Sequence, residues 1–305
     1  METQGASMDL VIGGSGLLGA HVVGELVRRG RACVSASRAP AAPPGAAVPD
    51  GQLVVDGTRP GALVEAIEAG RFGRVFLVAA LSRVGDAGRD PGLAQRLNRD
   101  WPGELAGACA GAGVRLVHVS TDLVFGAEPP PRARGFTELD PTAPLEPYGA
   151  SKAAGERHVL GAAPDALVVR LPLLYGRSFG RGLGAGDSLV AALEAGGDPM
   201  LFTDEYRTPI DAAVAARLLV ELAGNPGSMG PSGLLHLGGP ERLSRAELGQ
   251  RLLATRPDLA SPRLGTRADL GLEPTRAGDA SLDSSRARAL CDDLGIAWGD
   301  AAPAD

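Results

Sequence analysis

The sequence predicts an α/β fold, a doubly wound parallel sheet followed by a small C-terminal α/β lobe. Short apolar runs that suit strands buried on both faces alternate with amphipathic helical segments through the first half of the chain. The first run, residues 9–12, leads through a glycine-rich turn directly into a helix. Strand, glycine turn and helix in that order are typical of a Rossmann-type sheet.

Composition narrows the class of protein. The chain has 305 residues, of which 44% are hydrophobic and 22% charged, and its net charge is -6. These values fit a globular protein of one large domain or one and a half. The acidic balance, the short apolar runs and the lack of a signal-peptide pattern predict a cytoplasmic protein without nucleic-acid or membrane partners. A homodimer is left open, and residues 1–7 are expected to be a disordered lead.

Cysteine and histidine positions do not suggest a metal site. The odd number of cysteines, without metal-ligand spacing, predicts reduced thiols. The four widely separated histidines are expected to be structural or at the surface. These residues are Cys33, Cys109, Cys291, His21, His118, His158 and His236.

The glycine turn predicts a dinucleotide site. Gly13, Gly16 and Gly19 let the backbone turn tightly and approach a pyrophosphate, whose charge the following helix N-terminus stabilises. The spacing is three and three, rather than the two and three of the usual dehydrogenase fingerprint. The predicted cofactor contacts in the turn are Gly13, Ser15, Gly16, Leu17, Leu18 and Gly19.

The end of the second predicted strand, residues 32–36, favours NADP(H) over NAD(H). An NAD site usually has a carboxylate there to bind the ribose 2′-hydroxyl, whereas this chain has Ser37 and Arg38, which suit a 2′-phosphate. The alternative is that Arg38 begins the solvated loop predicted over residues 39–51.

The third and fourth predicted strands, residues 53–56 and 75–80, flank a helix over 61–69. Asp56 is expected either to cap that helix or to accept a hydrogen bond from the adenine amine. Ala79 and Ala80 are small and lie at the carboxyl end of a strand, where ligands bind in open α/β sheets. They therefore suit close approach of a cofactor.

A helix predicted over 93–112 should kink or split at Pro102, and a fifth strand follows over 114–120. Thr121 lies where this strand stops, and its hydroxyl can hydrogen-bond a carbonyl oxygen. Capping of the strand end by Ser120 and Thr121 is the alternative. The next loop contains Arg132 and Arg134, which are expected to be solvated.

The stretch 147–156 carries the clearest chemical signal. Lys152 is the only lysine among 30 Lys and Arg residues, and it lies four residues after Tyr148, one of three tyrosines. Positions i and i+4 share a helix face, and an ammonium beside a phenol favours the phenolate and lowers its pKa. The alternative is a surface helix start with an incidental pair.

The C-terminal part is less regular. Helices are predicted over 188–195, 211–223 and 244–255, with a short strand over 234–237, and they should form a small lobe over the cleft. Arg207 is a candidate for binding a diphosphate, with a structural salt bridge as the alternative. Residues 256–305 show little pattern, and the last several are expected to be disordered.

Together these motifs resemble the extended short-chain dehydrogenase/reductases, and among them the dTDP-4-dehydrorhamnose reductase-like subgroup. The resemblance covers about residues 8–250. It rests on the turn from Gly13 to Gly19, on Ala79-Ala80, Asn98, Ser120-Thr121-Asp122 and Tyr148-x-x-x-Lys152, and on residues 168–176 and 202–210.

The resemblance implies a role for each matching residue. Tyr148 would donate a proton to a substrate carbonyl, Lys152 would lower the pKa of Tyr148 and bind the nicotinamide ribose, and Thr121 would orient the carbonyl oxygen. Pro172 would lie near the nicotinamide. The expected substrate contacts are Asn98, Asp122 and Arg207.

The leading hypothesis is an NADPH-dependent reductase of a carbonyl, with a 4-keto nucleotide-diphosphate sugar as substrate. The alternatives are a reductase of a non-sugar ketone in secondary metabolism and a non-catalytic NADP(H)-binding regulatory subunit. The expected domains are an NADP(H)-binding Rossmann domain over 8–176 and a mostly substrate-binding lobe over 177–305. A return of 200–224 and 234–237 to the Rossmann domain is left open.

Overall fold

A computed structural model describes residues 8–39, 42–130, 132–180, 182, 184–224, 230–273 and 275–299. The first half of the chain alternates strands and helices. Its strands are β1 (Met8–Ile12), β2 (Cys33–Ser37), β3 (Gly51–Val54), β4 (Phe72–Leu77), β5 (Arg115–Thr121) and β6 (Leu167–Leu171). Its helices are α1 (Leu17–Arg28), α2 (Gly61–Glu68), α3 (Val84–Arg89), α4 (Pro91–Gln95), α5 (Trp101–Ala112) and α6 (Pro147–Ala162).

The second half contains shorter strands. These are β7 (Leu174–Tyr175), β8 (Met200–Phe202), β9 (Tyr206–Arg207), β10 (Ile210–Asp211), β11 (Gly233–His236), β12 (Leu243–Ser244) and β13 (Arg263–Gly265). The helices are α7 (Ala185–Glu194), α8 (Ala212–Leu222), α9 (Arg245–Leu253) and α10 (Ser285–Asp293).

The central sheet has seven strands in the order β11-β6-β5-β4-β1-β2-β3, and every neighbouring pair is parallel. Alternate side chains of β1 enter different cores: Val11 packs with α1 and α8, whereas Leu10 and Ile12 pack with α2 and α5. The sheet is therefore covered on both faces, which confirms the predicted doubly wound fold. Strand order reverses between β1 and β4, and their carboxyl ends border the crevice in which such sheets bind ligands.

The chain returns to this sheet after leaving it. Helix α8 packs against α1, and β11 pairs with β6 at the sheet edge. By contrast, α7, β8 and α9 share a separate small core that includes Leu189, Leu193 and Leu201. We therefore propose that α8 and β11, which fall within the possible return of 200–224 and 234–237, belong to the Rossmann unit, whereas β8 belongs to the small lobe.

The predicted helix over 93–112 does not split at Pro102. A π-helical turn, Arg96–Asp100, joins α4 to α5, and the backbone at both junctions is right-handed helical, so the chain stays helical from Pro91 to Ala112. Pro102 follows directly after Trp101, whose N–H closes the π-turn by donating to the carbonyl oxygen of Arg96.

Most of residues 256–299, for which the sequence shows little pattern, pack against distant parts of the chain. Strand β13 pairs with β8, and Ala277, Ala280 and Leu282 are buried beneath the loop that contains Phe136. The partners of this segment lie far away in the chain, as in the bridge between Phe136 and Leu282, so no local periodicity marks it. The terminal residues 1–7 and 300–305, where disorder was expected, lie outside the described residues. Within the described ranges, no helix is both long and apolar enough to cross a membrane.

Candidate active site

The end of β5 and the start of α6 meet at the carboxyl edge of the sheet. Thr121 ends β5, and Tyr148 lies in the first turn of α6 after the N-cap Glu146. A Cβ on Gly149 would lie 2.0 Å from the carbonyl oxygen of Leu123, so only glycine lets α6 begin this close to the turn after β5. This approach brings the half-buried Tyr148 into hydrogen-bond contact with Thr121.

Lys152 lies one helical turn after Tyr148, as predicted, but its ammonium is directed to β5. The side chain is 1% exposed. Its Nζ donates to the carbonyl oxygen of Val119 at 2.6 Å and lies 3.3 Å from Nε2 of His118. Burial lowers the pKa of Lys152 to about 8, although the nearby carboxylate of Glu156 favours the charged form.

The pKa of Tyr148 is displaced in the direction opposite to the prediction. Burial raises it to about 12, the hydrogen bond with Thr121 opposes that rise, and the charge of Asp122 adds to it. The predicted lowering by Lys152 is not observed, and the ammonium of Lys152 contacts Val119 and His118 instead. At neutral pH the phenol is therefore protonated.

A network of buried polar side chains extends from this site along β5, α6, β6 and β11. Ser120 Oγ donates to Glu156 Oε1 at 2.6 Å, and Glu156 in turn accepts from Arg170. Arg170 Nη1 lies 3.2 Å from Nε2 of His236. Alternation along β5 turns His118 and Ser120 toward the helix face that carries Lys152 and Glu156.

The glycine turn fits a dinucleotide. Gly13 has φ +98°, and a Cβ there would lie 2.8 Å from the backbone nitrogen of Ala79, so the turn packs directly on the end of β4. The N-cap of α1, Gly16, makes no side-chain capping bond, so no side chain competes with an anion for the first N–H groups of the helix. Ser15 and Leu17 are partly exposed, whereas the side chain of Leu18 is buried in the core, so only its backbone remains as a contact.

Three further predicted cofactor contacts lie at the ends of β2 and β3: Ser37, Arg38 and Asp56. Ser37 is buried and its Oγ donates to the carbonyl oxygen of Ala39, while Arg38 is exposed. Asp56 follows β3 by two residues and accepts from both the backbone and the hydroxyl of Thr58, which lowers its pKa; Arg38 contributes more weakly. Asp56 therefore closes a turn, and the N-cap of α2 is Pro60 instead.

Two further predicted cofactor contacts line the same edge. Ala79 and Ala80 are half-buried just beyond β4, and Ala79 N donates to Ile12 O at 2.9 Å. Pro172 is buried immediately after β6. All three follow strands of the central sheet at their carboxyl ends.

The predicted substrate contacts are less accessible than expected. Asn98 is fully buried, and its amide bonds Leu81 and the hydroxyl of Ser151, so it holds the segment after β4 against α6. Burial raises the pKa of Asp122 to about 6, against the opposing charge of Arg207.

Arg207 is 6% exposed and pairs with Asp122 at 3.2 Å and with Glu205 at 3.4 Å. Its Nη1 also donates to its neighbour's carbonyl oxygen. The salt-bridge alternative thus describes Arg207, and the diphosphate interpretation is not supported. Glu205 is shared with Arg276 and, at 4.0 Å, with Arg245.

Four residues of this buried polar network were not predicted as site residues from the sequence: His118, Glu156, Arg170 and His236. The sequence did contain a signal for two of them. Residues 118 and 120 share one face of β5, and residues 148, 152 and 156 share one face of α6. The contribution of β6 and β11 had no local signal, because it depends on the register in which Ser120 pairs with Arg170 and Arg170 with His236.

Comparison with known proteins identifies the family. The family model described as the RmlD substrate binding domain matches residues 8–301. The chain belongs to this family. The resemblance to dTDP-4-dehydrorhamnose reductase-like proteins and the prediction of an oxidoreductase are thereby confirmed.

Known proteins similar to this chain align with it over nearly its whole length. A probable low-salt glycan biosynthesis reductase of Haloferax volcanii is 31% identical, over 95% of this chain and 91% of that protein. A dTDP-4-dehydrorhamnose reductase of Streptomyces griseus is 33% identical, over 92% of this chain and 86% of that protein. The solved structure of MoeE5 in complex with UDP-glucuronic acid and NAD is 26% identical, with a TM-score of 0.74 over 95% of this chain and 93% of that chain.

Proposed function

We propose that this member of the RmlD family is an NADPH-dependent carbonyl reductase with Tyr148 as its proton donor. One observation carries the proposal: Tyr148 contacts Thr121 at the carboxyl end of β5, and Lys152, one helical turn later, contacts the same strand at Val119, two strands from the glycine turn after β1. In a parallel sheet these ends share one edge, so a dinucleotide on the turn would extend toward the phenol.

The side chains have separate tasks in this proposal. When bound, NADPH supplies a hydride to the carbonyl carbon. Tyr148 holds its proton at neutral pH and gives it to the carbonyl oxygen as negative charge develops there. The hydroxyl of Thr121 orients that oxygen, and the ammonium of Lys152 stabilises the phenolate that Tyr148 becomes.

The proposed cofactor preference rests on the end of β2. Arg38 is exposed, and neither it nor Ser37 repels a 2′-phosphate. Asp56 is the carboxylate near Arg38, and it is held in its own turn by Thr58. MoeE5 was solved with NAD, so the cofactor preference of this chain needs a direct test.

The proposed substrate is a 4-keto nucleotide-diphosphate sugar. The relatives named as dTDP-4-dehydrorhamnose reductases support this class, as does the nucleotide sugar bound to MoeE5. A non-sugar ketone is the second candidate. It is favoured by the ion pairs that occupy Arg207, since the side chain expected to bind a diphosphate is already neutralised.

Replacement of the proton donor tests the proposal. We expect Tyr148→Phe to lower kcat by about 100-fold or more, because general acid catalysis contributes that much, while NADPH still binds. Tyr206→Phe, which removes a phenol hydroxyl elsewhere, is the matched control and should retain turnover. Wild-type protein that binds NADPH but turns over no keto sugar or other ketone would support the regulatory-subunit alternative instead.

A further inference from the structure

We infer that His118 is a positioning residue that holds the ammonium of Lys152 in one orientation. The inference rests on the proposed role of Lys152 in the reductase. His118 is fully buried on β5, and its Nε2 faces Lys152 Nζ at 3.3 Å.

The ammonium has three N–H groups, and the described part of the chain supplies acceptors for two of them. One is the carbonyl oxygen of Val119 at 2.6 Å, and the other is Nε2 of His118. Both acceptors belong to the same strand. Two fixed acceptors determine the direction of the third N–H, whereas one acceptor alone would let the ammonium rotate about it.

Only a neutral histidine of one tautomer can act in this way. Burial and the charge of Lys152 keep the pKa of His118 well below its ordinary value, so the ring is neutral. For Nε2 to accept, the proton must be on Nδ1. Nδ1 is buried and finds no hydrogen-bond partner among the described residues.

That unpaired Nδ1 argues against a packing role. A buried N–H without an acceptor costs free energy, and an apolar side chain would fill the same site on β5 without that cost. The contact with a buried ammonium offsets the cost, because hydrogen bonds to charged groups are the stronger ones. Glu156, the carboxylate one helical turn after Lys152, acts on the ammonium through its charge, while its oxygens accept from Ser120 and Arg170.

Lys152 gives a direct measurement because it is the only lysine in the chain. Full-length protein labelled with 13C at lysine Cε should show one lysine signal, whose pH titration reports the pKa of Lys152, about 8 in the wild type. His118→Met removes the acceptor and should lower that pKa by about one unit, since a hydrogen bond to a charged group contributes that much. His118→Gln keeps an acceptor and should shift it less.

The exposed His158 on the same helix as Lys152 provides the control, and His158→Met should leave the titration unchanged. A folded His118→Met protein that titrates like the wild type would overturn the inference. If that variant does not fold, the tautomer of His118 in the wild-type protein tests the inference. Long-range 1H–15N spectra should show the ring protonated at Nδ1. The signal of His118 is assigned by its loss in His118→Gln. Protonation at Nε2 would exclude the acceptor role.

Neither measurement depends on turnover, so failure of the reductase proposal would be seen separately in Tyr148→Phe. In an active enzyme, the alkaline limb of kcat/KM should move to lower pH in His118→Met by the same amount as the lysine titration. A merely structural role would reduce stability without moving that limb.

Discussion

Arg170 donates two parallel hydrogen bonds to the carboxylate of Glu156, from Nε to Oε1 at 2.9 Å and from Nη2 to Oε2 at 2.7 Å. Both side chains are almost fully buried, at 3% and 4% exposure. The guanidinium also lies over the ring of Phe125, 5.0 Å from its centroid. This pair joins α6, which carries Tyr148 and Lys152, to β6 in the sheet, so α6 is attached to the sheet through its own buried face.

Breaking this pair should cost far more than breaking a surface pair. Arg170→Met leaves the buried carboxylate of Glu156 without its cation, and we expect the free energy of unfolding to fall by about 3–5 kcal/mol. Urea unfolding followed by circular dichroism measures it. Arg256→Met, which removes exposed pairs with Asp258 and Glu194, is the control and should change stability far less. Equal small losses in both variants would contradict the expectation.

Stability should fall in acid partly because His236 is buried as a neutral ring. Nδ1 lies 3.0 Å from the carbonyl oxygen of Phe136, and Nε2 faces Arg170. Burial, with the charge of Arg170, lowers the pKa of His236 to about 3, below its ordinary value of 6.5. The unfolded chain therefore takes up a proton first as pH falls. The stabilising contribution is complete above pH 6.5 and is lost toward pH 3.

The measurement is the pH dependence of the unfolding free energy in wild type and in His236→Gln. Between pH 6.5 and pH 4, the wild-type curve should be steeper by about 1 kcal/mol per pH unit, which is the effect of one proton. Carboxylates contribute equally to both proteins and cancel in the difference. Parallel curves would mean that His236 is protonated in the folded state.

Cofactor choice should depend on Arg38. Arg38→Ala should raise the Kd for NADPH by about 10–100-fold, since a hydrogen bond from a charged donor contributes about 1.5–3 kcal/mol, and should leave NADH binding nearly unchanged. Fluorescence titration with each nucleotide measures both. Arg59→Ala removes a second arginine near Asp56 and serves as the control. Equal weakening of NADPH and NADH in Arg38→Ala would defeat the assignment.

The contact between Gly149 and Leu123 should control activity through geometry. An added Cβ at 2.0 Å from a backbone oxygen forces α6 away from the turn after β5, so Gly149→Ala should lose about 1–3 kcal/mol of stability. It should also lower kcat by separating Tyr148 from Thr121. Gly161 lies on the same helix with nothing within 4 Å of an added Cβ. Gly161→Ala should therefore be neutral or slightly stabilising, by up to about 1 kcal/mol, with unchanged kcat.

The sequence determined the fold class and most of the residues at the carboxyl edge of the sheet. Apolar runs identified strands close to β1, β2, β4 and β5, and the glycine turn was found because strand, turn and helix are adjacent in the chain. The spacing of Tyr148 and Lys152 correctly placed them on one helix face. Each of these features is local, so a short window of residues contains it.

Only the tertiary structure decided what those side chains contact. In the folded chain, Lys152 contacts Val119 and His118, and Arg207 is buried in ion pairs. Most of residues 256–299 pack against loops that are distant in the sequence. The reason is physical: the contacts of a buried charge are set by strand register and by which backbones pack closely, as at Gly149. Both properties bring together residues far apart in the chain, and no local pattern records them.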